Sequence, residues 1–227
     1  MNVALIVAAG LGKRMGHIDR PKQFLLINGK PLLIYTIEAF NKNLEVEQIV
    51  VVTNKEHIEE VKELCKSYKL NKVKTVVAGG ETRQQSVYNG LKAIKGNKGD
   101  IVLIHDAARP LVSQRIITDN INACQFYDAV ATAIKTSDTI IKSDNQQTIT
   151  DVPNRKDLYQ VQTPQTFKYE LILSAHEEAI KNKLPDVTDD AKLVLALGHE
   201  VHLVEGDKFN FKITTSEDLT LFKALLK

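Results

Sequence analysis

The run Leu5-Ile6-Val7-Ala8-Ala9-Gly10-Leu11-Gly12-Lys13-Arg14-Met15-Gly16 decides how the rest of the chain is read. Its first half extends an apolar stretch from Val3 to Ala9, the pattern of a parallel strand covered on both faces. Its second half is a glycine-rich turn carrying Lys13 and Arg14, and Lys22 follows in Pro21-Lys22-Gln23. Such a turn brings backbone N–H groups and positive charge to a polyphosphate. It is not a dinucleotide fingerprint, because Met15 stands where the third glycine belongs. Nor is it a Walker loop, because Arg14 stands where Ser or Thr belongs. Read alone, the two glycines serve plain chain geometry equally well.

Outward from this turn, strands and helices alternate. Pro31–Asn41 has helical spacing, Gln48–Thr53 is a second apolar strand, and Lys55–Tyr68 is an amphipathic helix. A strand at Val73–Ala78, a helix at Thr82–Ile94 and a strand at Ile101–His105 continue the pattern. Ser113–Phe126 reads as a helix and Ala129–Ile134 as a strand. This order implies right-handed crossovers and a mostly parallel, twisted, Rossmann-like sheet with helices on both faces. Ligands of such sheets sit at the carboxyl ends of the strands. Gly10, Gly79-Gly80 and Asp106 are all expected there. Past Thr136 the pattern changes. Thr139–Lys142 and Gln147–Asp151 read as two short polar strands, so 136–159 is expected to project as a β-arm or to lie as a solvated hairpin. Helices follow at Tyr169–Asn182 and Thr188–Leu197, then strands at Glu200–Val204 and Phe211–Thr214, and a Ser-capped helix at Ser216–Leu226.

Composition narrows the class. The 227 residues are 43% hydrophobic and 26% charged, enough to bury a core in one domain. With 30 Lys and Arg against 28 Asp and Glu, bulk charge does not point to nucleic acid. The two cysteines, Cys65 and Cys124, are far apart and outside any metal-ligand spacing, so they read as reduced thiols. The opening MNVALIVAAG has neither a basic lead-in nor a membrane-spanning length, which leads to an expected cytoplasmic location.

Three further patches carry chemistry. His105-Asp106-Ala107-Ala108-Arg109-Pro110 puts a carboxylate at a strand end, where it can hold Mg²⁺ directly or through water. It can equally cap the next helix or pair with Arg109. His105 reads as structural. Gly79-Gly80-Glu81-Thr82-Arg83-Gln84-Gln85-Ser86 allows close backbone approach to a flat base, or simply starts a helix. Asn154-Arg155, Gln162-Thr163-Pro164-Gln165, Thr188-Asp189-Asp190 and Asn210-Phe211-Lys212-Ile213-Thr214 add polar and cationic groups late in the chain.

Taken in order, AAGLGKRMG, PKQF, GGETRQQSVYNGL, LIHDAARP, DTI, NRKDLYQVQTPQTF, VTDDA, LVEG and NFKITTSEDL span almost the whole chain. In this the sequence resembles the sugar-alcohol-phosphate cytidylyltransferases, most closely the family acting on 2-C-methyl-D-erythritol 4-phosphate. The resemblance implies a single nucleotidyltransferase domain over 1–227 and transfer of a cytidylyl group from CTP, with pyrophosphate released. It implies that Ala8, Ala9, Gly10, Gly12 and Lys13 form the CTP loop, and that Gly80, Glu81, Arg83 and Ser86 line the cytosine and ribose pocket. Arg14, Lys22 and Lys212 are then the charge-stabilising catalytic groups, with Asp106 organising Mg²⁺ or the acceptor hydroxyls. Arg109, Thr139, Arg155, Thr163 and Thr188 surround the acceptor. Thr139 and Arg155 lie on the arm and reach the other subunit of a homodimer. Neither nucleic acid nor membrane is an expected partner.

Ribitol 5-phosphate cytidylyltransferases are near relatives of the same pattern. Ala8-Ala9-Gly10, Ala107-Ala108 and Val161 lean toward methylerythritol. Ile149–Tyr159, with Tyr159 in place of a Trp, and the stretch Pro21–Leu25 lean toward ribitol. A non-catalytic nucleotide-binding module is the alternative of another class. The co-occurrence of Arg14, Lys22, Asp106 and Lys212 favours an enzyme, since a sensor needs the pocket without all four charges.

Overall fold

The computed structural model describes residues 1–10, 20–182 and 187–226. Its elements are β1 (Asn2–Val7), β2 (Leu26–Ile27), β3 (Lys30–Pro31), α1 (Leu32–Lys42), β4 (Gln48–Thr53), α2 (Ile58–Ser67) and β5 (Val73–Ala78). These are followed by α3 (Arg83–Ala93), β6 (Ile101–Asp106), α4 (Gln114–Phe126), β7 (Ala129–Lys135) and β8 (Tyr159–Lys168). The chain closes with α5 (Tyr169–Lys181), α6 (Asp190–Ala196), β9 (His202–Glu205) and α7 (Ser216–Leu225).

Seven of the strands form one sheet in the order β5-β4-β1-β6-β8-β7-β9. Pairs β1–β4, β1–β6, β4–β5 and β7–β9 are parallel, and β8 alone runs antiparallel, between β6 and β7. The expected α/β, mostly parallel architecture is therefore what the chain adopts. β1 shows how its continuous apolar run is used. Ala4 and Ile6 point into one core, with Leu33, Ile37 and Phe40 of α1, Val61 of α2 and Ile117 of α4. Val3 and Leu5 point into the other, with Val87 and Leu91 of α3, Ile172 of α5 and Val194 of α6. Alternate side chains of one strand thus serve two helical layers.

A third, smaller cluster joins Ile27, Leu32, Ile213 and Phe222. It pins the last part of the chain beside the β2–β3 hairpin, whose two-residue turn uses Asn28 and Gly29 at φ 49° and 76°. Both positions need left-handed backbone, which Asn and Gly supply. The thiols of Cys65 and Cys124 are buried and free, and burial pushes them up to about 11 and about 12.

Three expectations need correction. β8 is a strand where the sequence pattern marked none, because its polar run YQVQTPQTFK and internal proline hide it. Pro164 is accommodated where the β7–β8 register shifts, between Ala131 and Ala133, and Gln162, Thr163, Gln165 and Thr166 are buried because each finds a hydrogen-bond partner. The stretch 136–158 is not a two-stranded ribbon. Its ladder is reduced to one bridge, Lys142–Asp151, and most of its residues are exposed. Phe211–Thr214 is not a strand either: Ile213 N–H bonds the Ala108 carbonyl at 2.8 Å as a loop contact.

Candidate active site

The carboxyl ends of β1 and β6 open into a cleft of about 430 Å³. Ala8, Ala9, Gly10, Lys22, Gly80, Glu81, Arg83, Ser86, Asp106 and Lys212 all line it. The described part of the glycine turn is held from behind by Gln23, a buried side chain in the short 3₁₀ turn Lys22–Phe24. Its Nε2 donates to the carbonyls of Ala8 at 2.6 Å and Gly10 at 3.1 Å. Sequence reading did not single out Gln23; its one signal was an amide placed between a cation and an aromatic. Gly12, Lys13 and Arg14 lie outside the described residues.

The opposite wall is the loop from Gly79 to Thr82 and the N-terminus of α3. Thr82 caps that helix, accepting from Gln85 N–H at 3.2 Å. Ser86 Oγ accepts from Gly80 N–H at 3.1 Å and donates to the Thr82 carbonyl at 2.8 Å, so its hydroxyl shapes the loop. Gly79 has no room for a side chain: a Cβ there would come 2.5 Å from Ala9 Cβ. The two loops therefore touch, and the helix N-terminus adds partial positive charge to the cleft.

Asp106 ends β6 on the floor of the cleft. Its N–H donates to Thr163 Oγ1 at 3.1 Å. That hydroxyl lies 3.1 Å from His105 Nδ1, while His105 Nε2 lies 3.1 Å from the Arg109 carbonyl. A carbonyl only accepts, so Nε2 carries the proton and the Thr163 hydroxyl donates to Nδ1. Burial drives the His105 pKa down to about 4, and the ring is neutral. His105 and Thr163 thus brace the strand end, with the Phe40 ring packed on the imidazole at 4.9 Å.

The Asp106 carboxylate faces three cations. Lys212 Nζ is 2.7 Å from Oδ2, and Arg83 Nε is 3.4 Å from Oδ1. Burial alone would raise its pKa, but Arg83, Lys212 and Arg109 outweigh that and hold it well below the usual carboxylate range. Lys212 is brought there by a clamp on the preceding turn. Gln162 Nε2 donates to the Asp207 carbonyl at 2.8 Å, and Asn210 Nδ2 donates to the Thr163 carbonyl at 2.9 Å. Arg109 Nη1 bonds the Asn210 carbonyl at 2.7 Å, and so supports the clamp instead of lining the cleft. Gln162 and Asn210 stand in separate motifs, and nothing in their spacing reveals that they meet.

The remaining predicted residues are not brought together in this one chain. Thr139 and Arg155 lie on the exposed arm, where Arg155 Nη1 bonds the Ser137 carbonyl at 3.0 Å. Thr188 is exposed in the segment before α6.

For Mg²⁺ the donor chemistry fits a shared site. Asp106 offers hard carboxylate oxygen atoms at the floor of the cleft, the donor type this ion accepts while keeping waters. Among the described residues no group of three or more His, Cys, Asp or Glu gathers.

Comparison with known proteins shows the family. Residues 2–227 match the family model described as 2-C-methyl-D-erythritol 4-phosphate cytidylyltransferase. A protein of that name from Clostridium novyi (strain NT) is 44% identical over 227 residues, covering 100% of this chain and 96% of the relative. One from Clostridium botulinum (strain Okra / Type B1) is 46% identical, covering 100% and 97%. Among solved structures, 4-diphosphocytidyl-2C-methyl-D-erythritol synthase from Anaerococcus prevotii superposes with a TM-score of 0.85 at 32% identity, covering 99% and 95%. The 2-C-methyl-D-erythritol 4-phosphate cytidylyltransferase of Thermus thermophilus gives 0.80 at 34% identity, covering 99% and 98%. With the match running over the whole chain and the cleft built from the residues that its motifs contribute, this chain belongs to the 2-C-methyl-D-erythritol 4-phosphate cytidylyltransferase family.

Proposed function

We propose that the cleft transfers the cytidylyl group of CTP to 2-C-methyl-D-erythritol 4-phosphate and releases pyrophosphate, a step of non-mevalonate isoprenoid synthesis. One observation carries the assignment of the reaction centre. Lys212, from late in the chain, and Lys22, from early in it, line the same cleft as Asp106, with Lys212 Nζ on Asp106 and Lys22 Nζ on the Ile213 carbonyl at 2.6 Å.

The acceptor's phosphate oxygen attacks the α-phosphorus of CTP. An O–P bond forms as the bond to the bridging oxygen of the β-phosphate breaks, and pyrophosphate leaves with that electron pair. A phosphate monoester is already anionic, so no strong general base is required. The obstacle is bringing two polyanions together, where like-charge repulsion is large. Arg14, Lys22 and Lys212 offset it and stabilise the charge of the transition state, with Lys13 assigned to the CTP loop by the resemblance. Ala8, Ala9, Gly10 and Gly12 admit the nucleotide, and Gly80, Glu81, Arg83 and Ser86 wall the base and ribose. Asp106 orients Lys212 and is the residue that would hold Mg²⁺; the bound ion would neutralise further phosphate charge.

Arg109, Thr163 and Thr188 are placed on the acceptor side, the first two acting through the clamp and the strand end. Thr139 and Arg155 are assigned to the cleft of a partner subunit in a homodimer. Ile140, Ile141, Ile149 and Val152 on the arm are all exposed, which supports a covering surface there. The chain is read as one domain over 1–227 with the arm as its appendage. A cytoplasmic location is supported by the two free, buried thiols; no helix of the described residues is long and apolar enough to cross a membrane.

Pyrophosphate release from CTP and Mg²⁺ tests the reaction, with methylerythritol phosphate and ribitol phosphate as parallel acceptors. Turnover with the first and not the second is expected. Turnover with ribitol phosphate alone would reassign the acceptor, and none with either would leave only a nucleotide-binding module.

A further inference from the structure

Two buried groups outside the cleft are left unexplained by the reaction. Asp190, at the start of α6, is 1% exposed, and His176 of α5 is fully buried. With Arg83 they form a chain of contacts that ends in the cleft. His176 Nε2 lies 3.2 Å from Asp190 Oδ1, and Arg83 Nη1 donates to Asp190 Oδ2 at 2.7 Å. The same guanidinium turns Nε toward Asp106 Oδ1 at 3.4 Å, while Lys212 takes Asp106 Oδ2. Arg83 is shared between two carboxylates, and its shorter contact is to the one away from the cleft.

The position of Asp190 is itself determined from two sides. Gln165 Nε2 donates to Asp189 Oδ2 at 2.7 Å, and its Oε1 accepts from Ala191 N–H at 3.0 Å, which ties the first turn of α6 to β8. Val187 N–H donates to Gln84 Oε1 at 3.0 Å, on the residue next to Arg83. A guanidinium left with one carboxylate tends to form a two-pronged pair with it. Paired that way with Asp106, Arg83 would compete with Lys212 for the same oxygens. Burying an ion pair is costly, and apolar packing often replaces one without loss of stability. A buried carboxylate here therefore needs a reason beyond stability, and the division of Arg83 supplies one.

We propose that Asp190, with His176 behind it, is a positioning residue for cytidylyl transfer: it holds the Arg83 guanidinium at the cleft wall and leaves Asp106 Oδ2 to Lys212. This rests on reading the cleft as the CTP site. The test compares wild type, Asp190→Asn, His176→Leu, Arg83→Gln and the Arg83→Gln/Asp190→Asn double variant by steady-state pyrophosphate release, CTP calorimetry and thermal midpoint. Asp190→Asn is expected to raise KM and Kd for CTP about tenfold and to lower kcat, with KM for the acceptor within about twofold of wild type. His176→Leu should move the same constants less far, and the double variant should be no worse in kcat/KM for CTP than Arg83→Gln alone. Unchanged CTP constants in folded Asp190→Asn, or losses that multiply in the double variant, would overturn the proposal. If Asp190→Asn does not fold, His176→Leu decides it: unchanged CTP affinity there overturns it, and weakened affinity supports it. If wild type shows no turnover, the reaction reading fails by itself, and calorimetry with CTP alone still decides the coupling of Arg83 to Asp190.

Discussion

Lys22 Nζ donates a 2.6 Å hydrogen bond to the carbonyl of Ile213, 191 positions further along the chain. The bond puts one ammonium group on the backbone unit next to another, that of Lys212, whose Nζ is held by Asp106. Two lysines that no sequence spacing relates become neighbours at the mouth of one cleft. Both side chains line the cleft, where an entering anion would meet them.

Replacing either lysine should therefore slow chemistry more than it weakens binding. Lys22→Ala and Lys212→Ala are each expected to lose about 2.7–4 kcal/mol of transition-state stabilisation, a 10²- to 10³-fold fall in kcat. The Kd for CTP should change little. Because Lys22 also anchors the segment that carries Lys212, the double variant should lose less than the product of the single losses. Steady-state kinetics with calorimetry for CTP checks this; near-normal turnover in either single variant removes that lysine from the reaction centre.

Arg155 lies on the exposed arm, outside the lining of its own chain's cleft. Arg155→Ala should raise KM for the acceptor and leave CTP affinity as it was. At acceptor concentrations well below the KM of the Arg155→Ala variant, mixing inactive Lys212→Ala with Arg155→Ala chains, under conditions that exchange subunits, should restore about a quarter of wild-type activity, since half the dimers are mixed and each holds one intact site. No recovery in a mixture shown to exchange would place Arg155 elsewhere.

His105 makes a prediction about stability and pH. Its folded pKa is depressed from 6.5 to about 4 by burial. Between those values the unfolded chain binds the proton and the folded chain does not. Stability therefore rises with pH across this window and is lost as pH falls, by roughly 3 kcal/mol at its lower end. Urea unfolding from pH 7 to pH 4 should show that slope, and His105→Gln should flatten it. Asp106 adds no slope in this window: its pKa is held below the ordinary carboxylate range, so its contribution is fully present there and is lost only at lower pH.

Gly90 tests how tightly α3 lies on the sheet. A Cβ there would collide with the side chains of Leu5 and Val52. Gly90→Ala should gain helix propensity and still lose about 1–3 kcal/mol, because the overpacked core has to yield. Denaturant melts check the sign. A stabilised variant would mean that the helix can lift from β1 and β4.

Much of this was legible beforehand because its causes are local. The apolar runs at Val3–Ala9, Gln48–Thr53 and Ile101–His105 have the pattern of covered strands, and the helices between them carried their own spacing. The glycine turn, Gly79–Ser86 and Asp106 were placed on one edge by topology alone. The Asn28-Gly29 hairpin was equally local and was passed over. β8 was hidden for a different reason. Gln162, Thr163, Gln165 and Thr166 are buried because they bond to Asp207, His105, Asp189 and Asn120, partners distant in the chain, so hydropathy gave no sign of a central strand.

The sequence by itself determined the strand, turn and helix order, and it placed the chemistry-bearing residue types in motifs that identify the family. Only the tertiary structure decided which of them act together. Lys212 reaches Asp106 because Ile213 is packed with Ile27, Leu32 and Phe222, and because Gln162, Arg109 and Thr163 clamp the turn around Asn210. Arg83 is divided between Asp106 and Asp190 because α3 and α6 approach the cleft from different parts of the chain. Hydrogen bonds and ion pairs act over a few ångströms of space at any separation in sequence, so local pattern names the candidates and packing selects the partners.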